Sequence, residues 1–262
     1  MKNRNLLLTD TVREIAHTKK KFISLLIMNF LAVGFLAGLR MTAPDMKHSL
    51  DVYYDQQNLM DIRIVSTLGL TQDDIEALMD INNEIRSDKE AKKRLPVITD
   101  AEGSKYFDAL IDEDTVTVFS MPEKINRLRL TQGVYPSSSE ECIIEQLLAD
   151  KLGIGVGDRI TINTEDADKF TTESSVLDIH TFTVSGIAIS PLYISKTRGS
   201  STIGSGTVTA WVSLPEEVFT QDYYTSVYIT TDELDPLDCY ADQEYKDMIR
   251  DLIDCLKPLG KR

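Results

Sequence analysis

The stretch KLGIGVGDRITI, residues 151–162, carries glycines at 153, 155 and 157. Glycines at such spacing can lay backbone N–H groups around a phosphate, so nucleotide binding is the first chemistry to weigh. A dinucleotide fingerprint needs a strand ahead of its glycines and a helix N-terminus after them. Here the order is reversed: EQLLADKL reads as a short helix stacking Leu147, Leu148 and Leu152, Gly153 closes it as a C-cap, and RITI after Asp158 alternates like a strand. The spacing is G-x-G-x-G and no Gly-Lys-Ser/Thr follows, which removes a P-loop as well. Gly153, Gly157 and Asp158 are therefore expected to build a turn, with a structural role and no cofactor.

Other chemistries lack their residue sets. His17, His48 and His180 lie in three separate parts of the chain, and no HExxH pair stands among them to hold zinc. No serine sits in G-x-S-x-G or S-x-x-K, and His180 alone falls in the part expected to fold, which leaves little from which to build a Ser-His-Asp relay. NTEDADKF gathers Glu165, Asp166 and Asp168, but the sixth position counted from Asp166 is Thr171, where an EF-hand loop needs glycine. A solvated hairpin tip is the expectation there, and IDEDT, residues 111–115, reads as a turn. Cys142, Cys239 and Cys255 form no C-x-x-C. Cys239 and Cys255 stand sixteen residues apart on one expected helix, about 24 Å along its axis, so they cannot bridge while it is intact. Packing is the expected role of the cysteines, with a bridge from Cys142 to either of the others left open. No catalytic, cofactor or metal residue is assigned.

The elements that carry these residues divide sharply by charge. The chain of 262 residues has a formal charge of -14, yet residues 1–40 hold Lys2, Arg4, Arg13, Lys19, Lys20, Lys21 and Arg40 against Asp10 and Glu14, a net of +5 that leaves about -19 on the rest. So acidic a body argues against nucleic acid as a partner, because phosphates demand lysine and arginine. Phe22 to Leu39 are eighteen residues without a charge. As a helix they cover about 27 Å, close to the hydrocarbon thickness of a bilayer, and only Ser24 and Asn29 intrude where a buried core helix carries more polar residues. The lysine cluster before this span and the acidic sequence after it place the N-terminus in the cytoplasm and everything after about residue 40 outside. A cleaved signal peptide fits less well, since the run exceeds an h-region and Leu39 stands where a lipoprotein signal needs cysteine. Ahead of the span, Leu8, Val12, Ile15 and Ala16 recur at helical spacing opposite Arg13 and the lysines, which suits an interfacial helix; a plain continuation of the membrane helix is the other reading. Gly34 and Gly38 form a small-xxx-small pair that would admit other membrane helices or a second copy of the chain, or are incidental.

The organisation expected is an amphipathic cytoplasmic segment 1–21, a transmembrane helix 22–39, a stalk 40–60 with Pro44 as a kink or fresh start, and an extracytoplasmic domain 61–262 in which 131–206 forms an inserted subdomain. Within the domain, DIRIVST reads as a strand, TQDDIEALMDI as a helix capped by Thr71, and SDKEAKKRLP as a charged, poorly periodic stretch. YFDALI, TVTVFS, CIIEQ, HTFTVSGIAIS, TVTAWVS and YYTSVYIT read as strands, and SPLYISKTRGSSTIGSG as an irregular loop. Ser213 and Glu216 suggest a capping box on a short helix, SLPEEVF. Asp235 and Pro236 open a last helix with Tyr245, Met248, Ile249, Leu252 and Leu256 on one stripe. The class is α+β, a transmembrane helix followed by a mixed domain of two small subdomains.

Taken in order, KKKFISLLIMNFLAVGFLAGLRMTAPDM, DVYYDQQNLMDIRIVSTLGLTQDDI, QGVYPSSSEECIIEQLLADKLGIGVGDRITI, HTFTVSGIAISPLYIS and STIGSGTVTAWVSLPEEVF resemble the FtsX/MacB-type permeases of ABC transporters over about residues 10–230. The order "G-x-x-P, short strand, L-x-x-KLG-x-x-x-GD, strand" is similar to that family's extracytoplasmic core domain. The resemblance implies a permease subunit with four membrane helices, a large outer domain between the first and second, and a separate ATPase on the cytoplasmic face whose motion passes through the membrane helices to the outer domain. Its clients include lipoproteins, antimicrobial peptides and regulators of cell-wall hydrolases. The partners implied are the bilayer, the cytoplasmic ATPase, and other membrane helices or a second permease copy. No second apolar span follows Leu39, so a fragment or a short gene product is expected. A single-pass extracellular binding or sensory module without an ATPase is the competing class, and an anchored extracellular enzyme a third.

Overall fold

The computed structural model describes residues 2–87, 95–170, 175–195, 198–231 and 243–257, and the chain falls into two compact units, Met1–Leu50 and Asp51–Arg262. The first unit holds helix α1 (Lys2–His17) and most of helix α2 (Lys19–Gln56). Between them the backbone N–H and hydroxyl of Thr18 both donate to the carbonyl of Glu14, at 3.0 and 2.9 Å, which closes α1, and the Thr18 carbonyl accepts Phe22 N–H to start α2.

Helix α2 runs unbroken through Pro44, so the fresh start expected there is not seen. Proline removes a single intrahelical donor, and one lost bond in a helix of 38 residues does not end it; nearby, the Thr42 hydroxyl bonds the Gly38 carbonyl at 2.8 Å. This is the one helix among the described residues long and apolar enough to cross a membrane. Its apolar side chains from Phe22 to Leu39 are exposed, Phe30 to 77% and Phe35 to 71%. Gly34 and Gly38 both face open space.

The second unit contains two sheets. Strands β1 (Ile62–Leu70), β2 (Ile98–Ser104) and β10 (Tyr224–Thr231) form an antiparallel sheet in the order β1-β10-β2. Helix α3 (Gln72–Ser87) and helix α5 (Gln243–Leu256) bury Ile75, Leu78, Ile81, Ile85, Leu252 and Leu256 in one core with Ile62, Ile98, Val227 and Ile229. Thr71 caps α3 reciprocally with Asp74: its N–H and hydroxyl donate to the Asp74 carboxylate at 2.7 and 2.9 Å, and Asp74 N–H reaches back to the hydroxyl at 3.4 Å. The charged stretch expected after α3 falls mostly on residues 88–94, and Asp235, Pro236 and Cys239 also lie outside the described residues.

Strands β3 (Tyr106–Ile111), β4 (Asp114–Ser120), β5 (Arg129–Gly133), β6 (Glu141–Glu145), β7 (Arg159–Thr161), β8 (Thr181–Ile189) and β9 (Ala210–Leu214) make a mixed sheet in the order β3-β4-β9-β6-β8-β5, with β7 paired to the start of β8. The pairs β4–β9 and β6–β8 are parallel. Side-chain alternation gives the sheet two apolar faces. Val116, Val118, Ile144, Phe182, Val184 and Val212 lie on one, under helix α4 (Gln146–Leu152), and Phe119, Ile143 and Trp211 lie on the other. The trio expected on α4 is split, for Leu148 is buried and Leu152 packs on the core but Leu147 is 40% exposed. Seven residues make two turns, too few to hide three leucines against one sheet. The capping box at Ser213 is also absent: Ser213 is a buried residue of β9, the segment Glu216–Val218 is a single 3-10 turn, and Glu216 pairs with Lys105 at 3.3 Å. Strand pairing to β4 and β6 claims the backbone that a helix cap would need.

Candidate functional site

The segment leaving α2 is where directional bonds concentrate. Asn126 and Arg127 N–H donate to the carbonyls of Asn58 and Gln57, each at 2.8 Å. In return the Asn58 side-chain amide donates to the Lys124 carbonyl at 2.8 Å, and Met60 N–H donates to Asn126 Oδ1 at 3.0 Å. Both asparagines have left-handed backbones, φ 51° and 58°, which asparagine tolerates better than other side-chain-bearing residues. The Arg127 guanidinium donates to the Gln56 carbonyl at 3.0 Å, placing a cation at the negative pole of α2, and the Arg129 guanidinium lies 5.3 Å from the Tyr53 ring.

The loop that makes these bonds is itself fixed. Ile125 and Leu128 are buried, and the Glu102 carboxylate of β2 accepts three consecutive backbone donors, Glu123 at 2.7 Å, Lys124 at 3.0 Å and Ile125 at 2.7 Å. Successive N–H groups turned to one point form an anion-binding concavity, and here the chain fills it with its own glutamate. On the other side of the junction Asp61 accepts Thr231 N–H at 2.8 Å and the Tyr245 hydroxyl at 2.9 Å. Residues 56–61 are thus tied to β2 through the loop, and to β10 and α5 through Asp61.

A second polar cluster lies within the larger sheet. Glu145, at the end of β6, pairs with Arg198 from the loop after β8, and both side chains are only 6% exposed. Arg198 also donates to the Tyr193 carbonyl at 3.1 Å and lies over the Tyr193 ring, which stacks on Trp211. Burial pushes the Glu145 carboxyl above the usual carboxylate range, against the pull of Arg198.

The residues weighed for chemistry resolve as follows. Gly153 adopts φ 67° and ψ 31° after α4, with its N–H on the Ala149 carbonyl. Asp158 accepts Gly155 N–H at 2.8 Å, and Gly157, at φ 96°, donates to the Val184 carbonyl and so leads the chain into β7. The Gly155–Asp158 bond is internal to the turn and the Gly157 bond ties it to β8, so the backbone N–H groups of these glycines are engaged within the protein. The hairpin-tip reading of NTEDADKF is incomplete, because Asp168 turns inward: its two oxygens accept Thr164, Ser175 and the Val176 N–H. Ser175 also stands 3.5 Å from His180 Nε2, but its hydroxyl is given to Asp168, so the carboxylate orients the serine and not the imidazole, the wrong order for a relay. Among the described residues no group of acidic, histidine or cysteine side chains suits a metal. Cys142 is a buried free thiol, and burial pushes it up to about 12, an unreactive packing group.

The junction residues Asn58, Glu102, Asn126 and Arg127 escape a reading of the sequence by periodicity, although asparagine beside polar neighbours in QQNL and INRL signals left-handed turns. Arg198 carries no local signal in its glycine- and serine-rich loop.

Residues 24–239 match the family model of the MacB-like periplasmic core domain. The chain belongs to that family, one of ABC transporter permeases, and its apolar helix and core domain make it a membrane-anchored protein with an extracytoplasmic domain. Among solved structures it is similar to the extracellular domain of the noncanonic ABC-type transporter YknZ from Gram-positive bacteria, with 13% identity and a TM-score of 0.38 over 72% of this chain and 87% of that one. It is also similar to a domain described as that of a permease protein from Porphyromonas gingivalis, with 14% identity and a TM-score of 0.31 over 54% of this chain and 65% of that one. No curated protein matches the chain. The assignment rests on the family match.

Proposed function

We propose that the chain is the membrane subunit of an FtsX/MacB-type ABC transporter, with a cytoplasmic N-terminus, and that it carries motion from a separate cytoplasmic ATPase to an extracytoplasmic domain that handles a peptide, lipoprotein or envelope partner. The observation that carries this reading is the junction at residues 56–61. A domain merely tethered to an anchor needs a flexible linker, whereas here the end of α2 is bonded through Asn58, Asn126 and Arg127 to a loop locked on β2 by Glu102. Such a joint transmits displacement. The subunit itself supplies no catalysis, and the energy comes from the partner ATPase.

The test is co-purification of the chain, extended to its natural stop codon, with ATPases of its own membrane. One specific ATPase recovered at fixed stoichiometry supports the permease; none recovered from intact membranes returns the single-pass binding module to first place.

A further inference from the structure

We propose that the outer edge of β3 holds, by strand addition, a short extended segment of a partner polypeptide that carries one basic side chain; the proposal rests on the reading that the extracytoplasmic domain handles a peptide or protein partner. Strand β3 is outermost in the larger sheet, and in its antiparallel pairing with β4 alternate residues turn their N–H and C=O groups away from the sheet. Tyr106, Asp108 and Leu110 are the outward-facing residues, and two of them are taken. Leu110 exchanges both bonds with Asn163, at 3.1 and 2.8 Å. The Tyr106 N–H donates to the Thr225 hydroxyl at 3.1 Å, and that hydroxyl donates to the Tyr106 carbonyl at 3.3 Å. Between these two clamps the N–H and C=O of Asp108 have no partner among the described residues. The segment that pairs with Leu110 stops short of them, because Glu165 N–H turns back onto Asn163 Oδ1 at 2.9 Å.

The open position borders a cavity of about 240 Å³ whose walls select the occupant. Asp108 and Asp166 line it together with apolar and aromatic residues, Ile203 and Tyr223 among them, and none of the described lining residues is basic. One oxygen of each carboxylate is engaged, by the Thr117 hydroxyl at 2.8 Å and by Lys169 at 2.5 Å, which leaves the other oxygen of each for a ligand. An anion is excluded: it could accept the Asp108 N–H but not bond the carbonyl beside it, and it would meet two aspartates. An extended residue presents its own N–H and C=O on one side, so it makes both bonds at once. The clamps leave the edge open opposite residues 107–109, which is room for about three residues, or about 10 Å. The middle side chain of such a segment lies on the same face as that of Asp108, directly across from it, so a lysine or arginine there meets a carboxylate. The acidic body of the domain favours the same sign of partner at longer range.

The experiment titrates the capped peptide acetyl-Val-Lys-Val-amide into the full chain in detergent micelles and follows the broadening of the peptide's NMR signals. Glutamine in place of the lysine should weaken binding about fivefold at low salt. The variant Asp108→Asn keeps the acceptor for Thr117 and the backbone edge, so it should weaken the lysine peptide by the same factor and leave the glutamine peptide unchanged. Methylating the backbone nitrogen of the lysine removes the donor to the Asp108 carbonyl and sets a methyl group against the edge without altering the charge, and it should weaken binding at least about tenfold. A methylated peptide that binds as well as its parent overturns strand addition, as does a lysine peptide that fails to bind the wild type. Full-strength binding of the lysine peptide to Asp108→Asn overturns the assignment of the basic side chain. Recovery of a cytoplasmic ATPase with the same preparation separates this from the underlying reading: ATPase recovered without peptide binding overturns the edge site alone, whereas peptide bound in the predicted order without any ATPase supports the site and overturns the permease reading.

Discussion

The seven-stranded sheet and the junction at residues 56–61 are held by different physics. In the sheet, Trp211, Phe182, Ile143, Ile144 and Leu214 are almost completely buried, and the stabilisation comes from apolar area and close packing, which has no preferred direction and resists every displacement. At the junction the bonds are few, directional and part-exposed, running from Gln56, Asn58 and Met60 to residues 124–127. Each such bond contributes about 1 kcal/mol and can be exchanged for water at small cost. The sheet is therefore held as one body by packing, whereas the junction is held by a small set of directional bonds. The two sheets meet where β2 runs into β3 across Lys105, and Arg63 of β1 lies 4.9 Å from the Tyr106 ring.

If the comparison holds, substitutions in the sheet should lower global stability, and substitutions at the junction should loosen it locally. Trp211→Ala should have the largest effect, a loss of about 3–5 kcal/mol read as a fall in the urea midpoint of the whole domain. Next comes Arg198→Met, which strands Glu145 in the interior and should cost about 3 kcal/mol, recovered in large part by adding Glu145→Gln. The pH dependence of that variant has a definite sign. Burial raises the folded-state pKa of Glu145, so its charged form costs stability at neutral pH, and Arg198→Met should regain stability as the pH falls through that raised value towards the unfolded one. A variant whose stability is flat across this range would show that Glu145 is solvated, and the contrast between sheet and junction would weaken.

Glu102→Gln should cost about 1–2 kcal/mol, with faster hydrogen exchange concentrated at Glu123, Lys124 and Ile125. Uniformly faster exchange would mean the loop is part of the global core and not a separately held joint. The smallest effect expected is that of Gly153→Ala, about 1 kcal/mol, because its left-handed backbone is strained for alanine while the space around it is empty.

The sequence was most legible where a residue's neighbours in the chain decide its structure. The helix through Phe22–Leu39, the capped helix at Thr71 and the turn at Gly153 and Asp158 all follow from local spacing. Strands β2 and β5 were not read, since ITDAEGS and RLTQG are too polar to announce themselves and are extended because β10 and β8 pair with them. Long-range partners were invisible for the same reason: Glu145 and Arg198 are 53 residues apart, and Met60 and Asn126 are 66 apart. Most of the candidate junction therefore had to come from the structure, while the turn that looked like a phosphate loop could be set aside from order alone.

The coupling claim is tested most directly by hydrogen exchange on the complete transporter, with its ATPase, in membranes, comparing the nucleotide-free state with an ATP-bound state trapped before release. The account predicts that protection of the backbone N–H groups of residues 123–127 changes between the two states while that of β8 and β9 does not. Unchanged protection of 123–127 in a transporter whose ATPase demonstrably cycles would contradict it.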